Sequence, residues 1–248
     1  MRRQAARLIL VAAALATGCA TAPPSPPRLL VHVDTLAPDK LQAFENARVR
    51  WVALLRAHKR DDRRGLYLKI GTNTYYSIVT FSRWRELEQI GAERAATSRA
   101  LADAAREYDR LSDESLVFPH ASEVWREQPE LAYLPTGRPL GDAVQLVIED
   151  VKPTADYEAA WKPIAAALLQ AKFPVERRSY FAGYGSGRTL SFWLAPSAAV
   201  LRAAPTIEQA LASVVGEARA KELMAAWRAC VVATQTFDVE PKAEMSLP

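Results

Sequence analysis

The sequence predicts an α+β fold built of two β-α-β-β-α-β modules in tandem, on three observations. The stretch Asp62-Arg63-Arg64-Gly65-Leu66-Tyr67-Leu68-Lys69-Ile70-Gly71 returns 114 residues later as Glu176-Arg177-Arg178-Ser179-Tyr180-Phe181-Ala182-Gly183-Tyr184-Gly185. Each copy is followed by a strand-like run, Tyr75 to Phe81 and Thr189 to Leu194. Each is preceded by a Leu- and Val-rich strand, a proline (Pro38, Pro153) and an apolar stripe at helical spacing. An internal repeat of this size decides the fold ahead of any single motif.

The first module covers residues 29–135. Leu29 to Leu36 reads as a strand, and Leu41, Phe44, Trp51 and Leu55 make an amphipathic helix from Asp39 to about His58. Lys59 to Arg64 is a charged connection. Leu66 to Ile70 and Tyr75 to Phe81 form a hairpin about Gly71-Thr72-Asn73, where Gly71 and Asn73 tolerate positive φ. Helical sequence runs from Ser82 to about Leu111 with a break expected near Gly91, and Val117 to Arg126 makes the last strand, bent around Pro119. A Pro/Gly-rich linker at 136–141 leads to the second module, residues 142–248. There Val144 to Val151 is the first strand, and Tyr157, Trp161, Ile164 and Leu168 form the helix stripe. Arg178 to Tyr184 with Thr189 to Leu194 make the hairpin, Ser197 to Cys230 is helical with an interruption at Pro205, and Val232 to Val239 ends the module. A four-stranded sheet with helices on one face leaves the other face to be covered. One module covering the other predicts a monomeric pseudo-dimer.

The beginning of the chain reads as an address. Residues 1–18 hold a positive start, a short apolar run from Leu8 to Ala16 and small residues, the pattern of a signal peptide too short to span a bilayer. Ala16-Thr17-Gly18-Cys19 resembles a bacterial lipobox, which implies cleavage before Cys19 and a lipid (palmitate) anchor on it; Ala20 after it implies the outer membrane, facing the periplasm. Residues 19–28 then form a Pro-rich tether reaching ~3 Å per residue. Loss of Arg2, Arg3 and Arg7 with the signal leaves 29 basic against 28 acidic residues, which removes the electrostatic case for nucleic-acid binding. With Cys19 lipidated, Cys230 has no disulfide partner and reads as a small core hydrophobe.

Motifs that would carry chemistry are few. Gly183-Tyr184-Gly185-Ser186-Gly187 precedes a strand rather than a helix, so it is a hairpin turn and not a phosphate cradle. Tyr184 stands where a nucleophile elbow needs its first Gly. No His-Glu-x-x-His or Cys-x-x-Cys is present, so no metal and no cofactor are expected. The Arg63-Arg64 and Arg177-Arg178 pairs, each beside an acid, read as solvated surface pairs. His58 suits a helix C-terminus. His32 interrupts an apolar strand where Val147 stands in the second module; pointing inward, it would be a general base. Tyr67, Tyr75, Tyr180 and Trp193 are the aromatic residues expected with His32 around a small hydrophobic ligand between the sheets.

Two such modules resemble the dimeric α/β-barrel superfamily of ferredoxin-like units, in its NIPSNAP-like or antibiotic-monooxygenase-like form. The resemblance rests on the strand-to-helix starts at Pro38 and Pro153, the Gly-containing hairpins and Trp125 to Tyr133. It implies an intramolecular barrel. The reading the sequence favours is a non-catalytic, membrane-anchored envelope lipoprotein with a ligand between its sheets. The alternatives are a cofactor-independent monooxygenase-like enzyme and an outer-membrane protein-interaction module.

Overall fold

The computed structural model describes residues 27–60, 65–152, 154–183 and 187–247. The expected signal, Cys19, Arg63-Arg64, Pro153 and the tip of the glycine-rich turn lie outside them. The elements are β1 (Arg28–Thr35), α1 (Leu41–Ala57), β2 (Leu66–Ile70), β3 (Thr74–Phe81), α2 (Trp84–Ala100), α3 (Ala102–Asp113), β4 (Ala121–Glu127), β5 (Ala143–Val151), α4 (Thr154–Gln170), β6 (Glu176–Ala182), β7 (Arg188–Leu194), α5 (Ala198–Ala203), α6 (Ile207–Val215), α7 (Glu217–Ala229) and β8 (Val231–Pro241).

The strands close into an antiparallel eight-stranded barrel in the order β1-β3-β2-β8-β5-β7-β6-β4. Because side chains alternate along a strand, one set fills the barrel and the other meets the helices. Leu29, Val31, Leu68, Ile70, Ile78, Trp125, Leu146, Ile148, Tyr180, Leu190, Phe192 and Leu194 form the inner core. The space between the two halves of the sheet is thus packed side chain to side chain. The expected ligand between the sheets is corrected on this ground: rings and branched aliphatics occupy that volume. Outside the barrel, Tyr157, Trp161, Ile164 and Leu168 of α4 are buried as one stripe.

Two local expectations change. The helix after β3 breaks at Leu101 (φ −121°, ψ 43°), not at Gly91. Gly91 has open space around it, and a lone glycine costs a helix only ~1 kcal/mol relative to alanine, too little to end it. The strand predicted from Val117 begins at Ala121, beyond Pro119.

The barrel is closed by two short seams. β2 and β8 pair over three residues (Leu68, Lys69, Ile70), and β4 and β6 over three (Trp125, Arg126, Glu127). A glycine just beyond β2 and another just beyond β6 each extend one seam: Gly71 N–H donates to Asp238 O (2.8 Å) and Gly183 N–H to Val124 O (2.8 Å). Gly71 sits at φ +60°, where side chains are disfavoured. A Cβ on Gly183 would lie 2.9 Å from Val124 O.

Residues 245–247 return to the first half. Met245 joins Phe44, Tyr67 and Tyr75, and Leu247 joins Trp51, Val52 and Leu55. Arg48 Nε and Arg56 Nη2 donate to Met245 O (3.1 Å) and Ser246 O (2.8 Å), while Gly65 and Leu247 exchange backbone hydrogen bonds.

Gly183→Ala is expected to destabilise the chain by about 1–3 kcal/mol through overpacking at the seam. Gly91→Ala, in open helix, stabilises by up to ~1 kcal/mol. Urea denaturation of the two variants checks both signs.

Candidate functional site

The outer face of β5, β7 and β6 carries Gln145, Val147 and Glu149, then Thr189, Ser191 and Trp193, then Arg177, Ser179 and Phe181. The antiparallel registers set Glu149 beside Thr189, Val147 beside Ser191, and Arg177 beside Trp193. A register shift between Ala143 and Gln145 lets the consecutive Val144 and Gln145 both face the helices. With α5, α6 and α7 above, this face walls a cavity of about 680 Å³. Phe173, Trp193, Trp227, Leu201 and Ile207 supply apolar walls, and Glu149 and Arg177 are the charged pair at the sheet. The volume is that of a small-molecule site, roughly 300–1,000 Å³.

Arg177 is 1 % exposed, so the expected surface pair is corrected. Strand alternation sends Arg177 to the helix side, and Arg178 to Glu127 (3.3 Å) and Arg138 O (3.2 Å). The Arg177 guanidinium lies 3.9 Å over the Trp161 ring, with Trp227 and Trp193 at 5.7 and 5.8 Å. Its Nη2 donates to Tyr157 Oη (2.7 Å) and Ser191 Oγ (2.9 Å) and stands 3.5 Å from Glu149 Oε2, which accepts from the Tyr157 hydroxyl. Burial pushes the Tyr157 phenol above its ordinary value, although the Arg177 charge pulls it back; it therefore remains a donor to Glu149 at neutral pH. Arg177 Nε and Nη1 are buried without a hydrogen-bond partner. Each unmade bond of that kind costs ~1–3 kcal/mol, so an oxygen anion seated there would recover it.

The first half has its own cavity, about 360 Å³, between β1, β3 and helices α1, α2 and α3. His32 faces it, not the barrel, because Leu29 and Val31 take the inner side of β1. His32 Nδ1 is 2.8 Å from Ser122 Oγ, and Nε2 is 3.3 Å from Asp34 Oδ1. The His120 ring lies 4.7 Å away from that of His32. Asp34 is buried; its Oδ2 accepts from Tyr67 Oη (3.4 Å), and Oδ1 has no hydrogen-bond partner.

The five residues expected around one ligand are dispersed. His32 and Tyr67 line the smaller cavity, Trp193 lines the larger, Tyr180 lies inside the barrel, and Tyr75 packs on Phe44. Arg177, Glu149 and Tyr157 escaped sequence reading as a group. The available signal was the set of small polar residues, Ser179, Thr189 and Ser191, that alternation places on one face of β6 and β7 together with Arg177. Cys230 is buried, and burial raises its thiol pKa, which suppresses thiolate chemistry.

No family model matches the chain, and no curated protein matches it. Solved structures share its fold. A candidate monooxygenase from Fusobacterium nucleatum subsp. nucleatum superposes with a TM-score of 0.55 at 11% identity, over 88% of this chain and 93% of the other. One from Lactobacillus acidophilus does so with 0.53 at 10% identity, over 87% and 94%. The chain therefore has the α+β fold, with a closed antiparallel barrel, of these monooxygenase-like structures. The expectation of a non-catalytic chain is corrected on this finding: structures that share the fold nearly end to end are described as candidate monooxygenases, and the monooxygenase-like alternative stands closer to them. Among the described residues no helix is long and apolar enough to cross a membrane.

Glu149→Leu is expected to destabilise the protein by about 3–5 kcal/mol by stranding the Arg177 charge, whereas Glu149→Leu with Arg177→Met recovers most of that loss. Chemical denaturation of the single and double variants measures it.

Proposed function

We propose that the chain is a monooxygenase-like enzyme, working without an organic cofactor on a planar aromatic substrate that bears an acidic C–H next to a carbonyl. The observation that carries this reading is Arg177 at the cavity, buried among indoles with Nε and Nη1 unpartnered beside the carboxylate of Glu149. A carbonyl oxygen at Arg177 accepts from those donors, and Glu149 takes the adjacent proton. The electron pair stays on the substrate as an enolate, which Arg177 stabilises more than it does the neutral ketone. The enolate then reduces O₂. One oxygen atom replaces the two hydrogens of the substrate methylene as a new carbonyl, and the other leaves with those hydrogens as water. Tyr157 positions Glu149 and supplies a proton path through its hydroxyl.

The enzyme would work from the cell envelope, held to the outer membrane by lipid on Cys19, as a monomer whose two halves derive from one copied β-α-β-β-α-β unit. The lipobox resemblance supports the anchor, and the return of Asp62–Gly71 as Glu176–Gly185 supports the copying.

Oxygen uptake by the purified protein with a panel of anthrone-like and other enolisable aryl ketones tests the activity. The expected result is uptake with at least one member and one ¹⁸O atom from labelled O₂ in its product. Arg177→Gln lowers kcat by roughly 10²–10³-fold, the loss typical of an oxyanion donor. No uptake with any member overturns the reading. Separately, Cys19→Ser is expected to move the protein from the membrane fraction to the soluble or unprocessed one; retention as a processed lipoprotein overturns the anchor.

A further inference from the structure

We propose that His32, Asp34 and His120 form a binding site for one divalent first-row transition-metal ion, in the first half of the barrel and separate from the Arg177 cavity. His32 and Asp34 are two apart on β1 and therefore share its outer face, while His120 arrives from the turn before β4. One ligand atom from each lies within 4.8 Å of the other two. Around a common ion, with bonds of ~2.0–2.2 Å, such atoms stand roughly 3–3.5 Å apart. The His32–Asp34 pair is already there at 3.3 Å. His120, exposed and outside the strand, needs only a side-chain adjustment to follow.

A second observation points to an ion. Asp34 is 3% exposed, yet its Oδ1 has no hydrogen-bond partner. A buried carboxylate in that state is costly unless a cation meets it. The nearby His32 Nδ1 is set against Ser122 Oγ; as a donor there it leaves Nε2 with a free lone pair directed toward Asp34. This is the arrangement in which an outer hydrogen bond orients a metal-binding imidazole. Asp109 and Asp113 also line the cavity, against Arg48 and Arg94, so with Asp34 its carboxylates outnumber its guanidinium groups. Two imidazoles and one carboxylate suit Zn²⁺, Fe²⁺ or Co²⁺ rather than Mg²⁺ or Ca²⁺. Three protein ligands leave coordination positions open toward the 360 Å³ cavity.

The test uses the untagged full chain titrated with Co²⁺ and Zn²⁺ by calorimetry, with the visible spectrum of Co²⁺ as a second readout. One ion per chain is expected, giving a saturable d–d band. His120→Ala, which alters an exposed residue and leaves the fold intact by circular dichroism, weakens binding at least tenfold and changes the band. Ser122→Ala weakens it 10–100-fold by freeing the His32 ring. Absence of saturable binding to the unaltered chain, or unchanged affinity in His120→Ala, overturns the proposal. Neither readout depends on oxygen uptake, so the outcome is independent of the activity proposed for the Arg177 cavity.

Discussion

Every feature of this chain follows from one constraint: the apolar inner face of its sheet has to be hidden from water. Helices cover only the outer face, so the inner face is closed against itself as a barrel. The two pairing seams that achieve this are three residues long each, against registers of five to eight residue pairs between most neighbouring strands within each half. Closure is therefore carried by the core of Leu29, Leu68, Trp125, Leu146, Tyr180 and Phe192 more than by backbone hydrogen bonds. A filled barrel has no room for chemistry, and the cavities lie outside it, under the helices.

That displacement explains the position of the charged groups. A guanidinium is tolerable in such a place only with close compensation, and Arg177 has an indole face, two hydroxyls and a carboxylate around it. Compensation is nevertheless incomplete, because the remaining N–H groups have no protein acceptor. Asp34 is the mirror case, an anion with one oxygen satisfied and one not. Each half buries a carboxylate and a guanidinium beneath its helices, Asp34 with Arg48 and Glu149 with Arg177. The halves differ in which of the two keeps atoms without a hydrogen-bond partner, Asp34 in the first and Arg177 in the second.

Much of the architecture was legible in the chain because period and turn chemistry are local. The alternation of Val144 to Val151 and the stripe of Tyr157, Trp161, Ile164 and Leu168 are visible without any partner. The interruption at Pro205 was equally local. The helix break was not, since Gly91 looked like punctuation but the turn fell at Leu101. Arg177 was misread because its neighbours Glu176 and Arg178 suggested a charged surface, whereas only strand alternation decides which of the three goes under the helices. Nothing in the chain joins His32 to His120; the pairing of His32 with Ser122 across β1 and β4 brings them together, and that register is invisible in the sequence.

The return of residues 245–247 to the first half has a consequence for biosynthesis. Met245 and Leu247 complete the packing around Phe44 and Trp51, and Gly65 is bridged through its backbone to Leu247. On the ribosome the first half emerges well before these residues exist, so it waits with an unfinished interior while the second half is made. The chain cannot fold as two beads in succession. A segment translated late fastens one translated early, and loss of residues 245–247 would be felt some two hundred positions upstream, at Arg48 and Arg56.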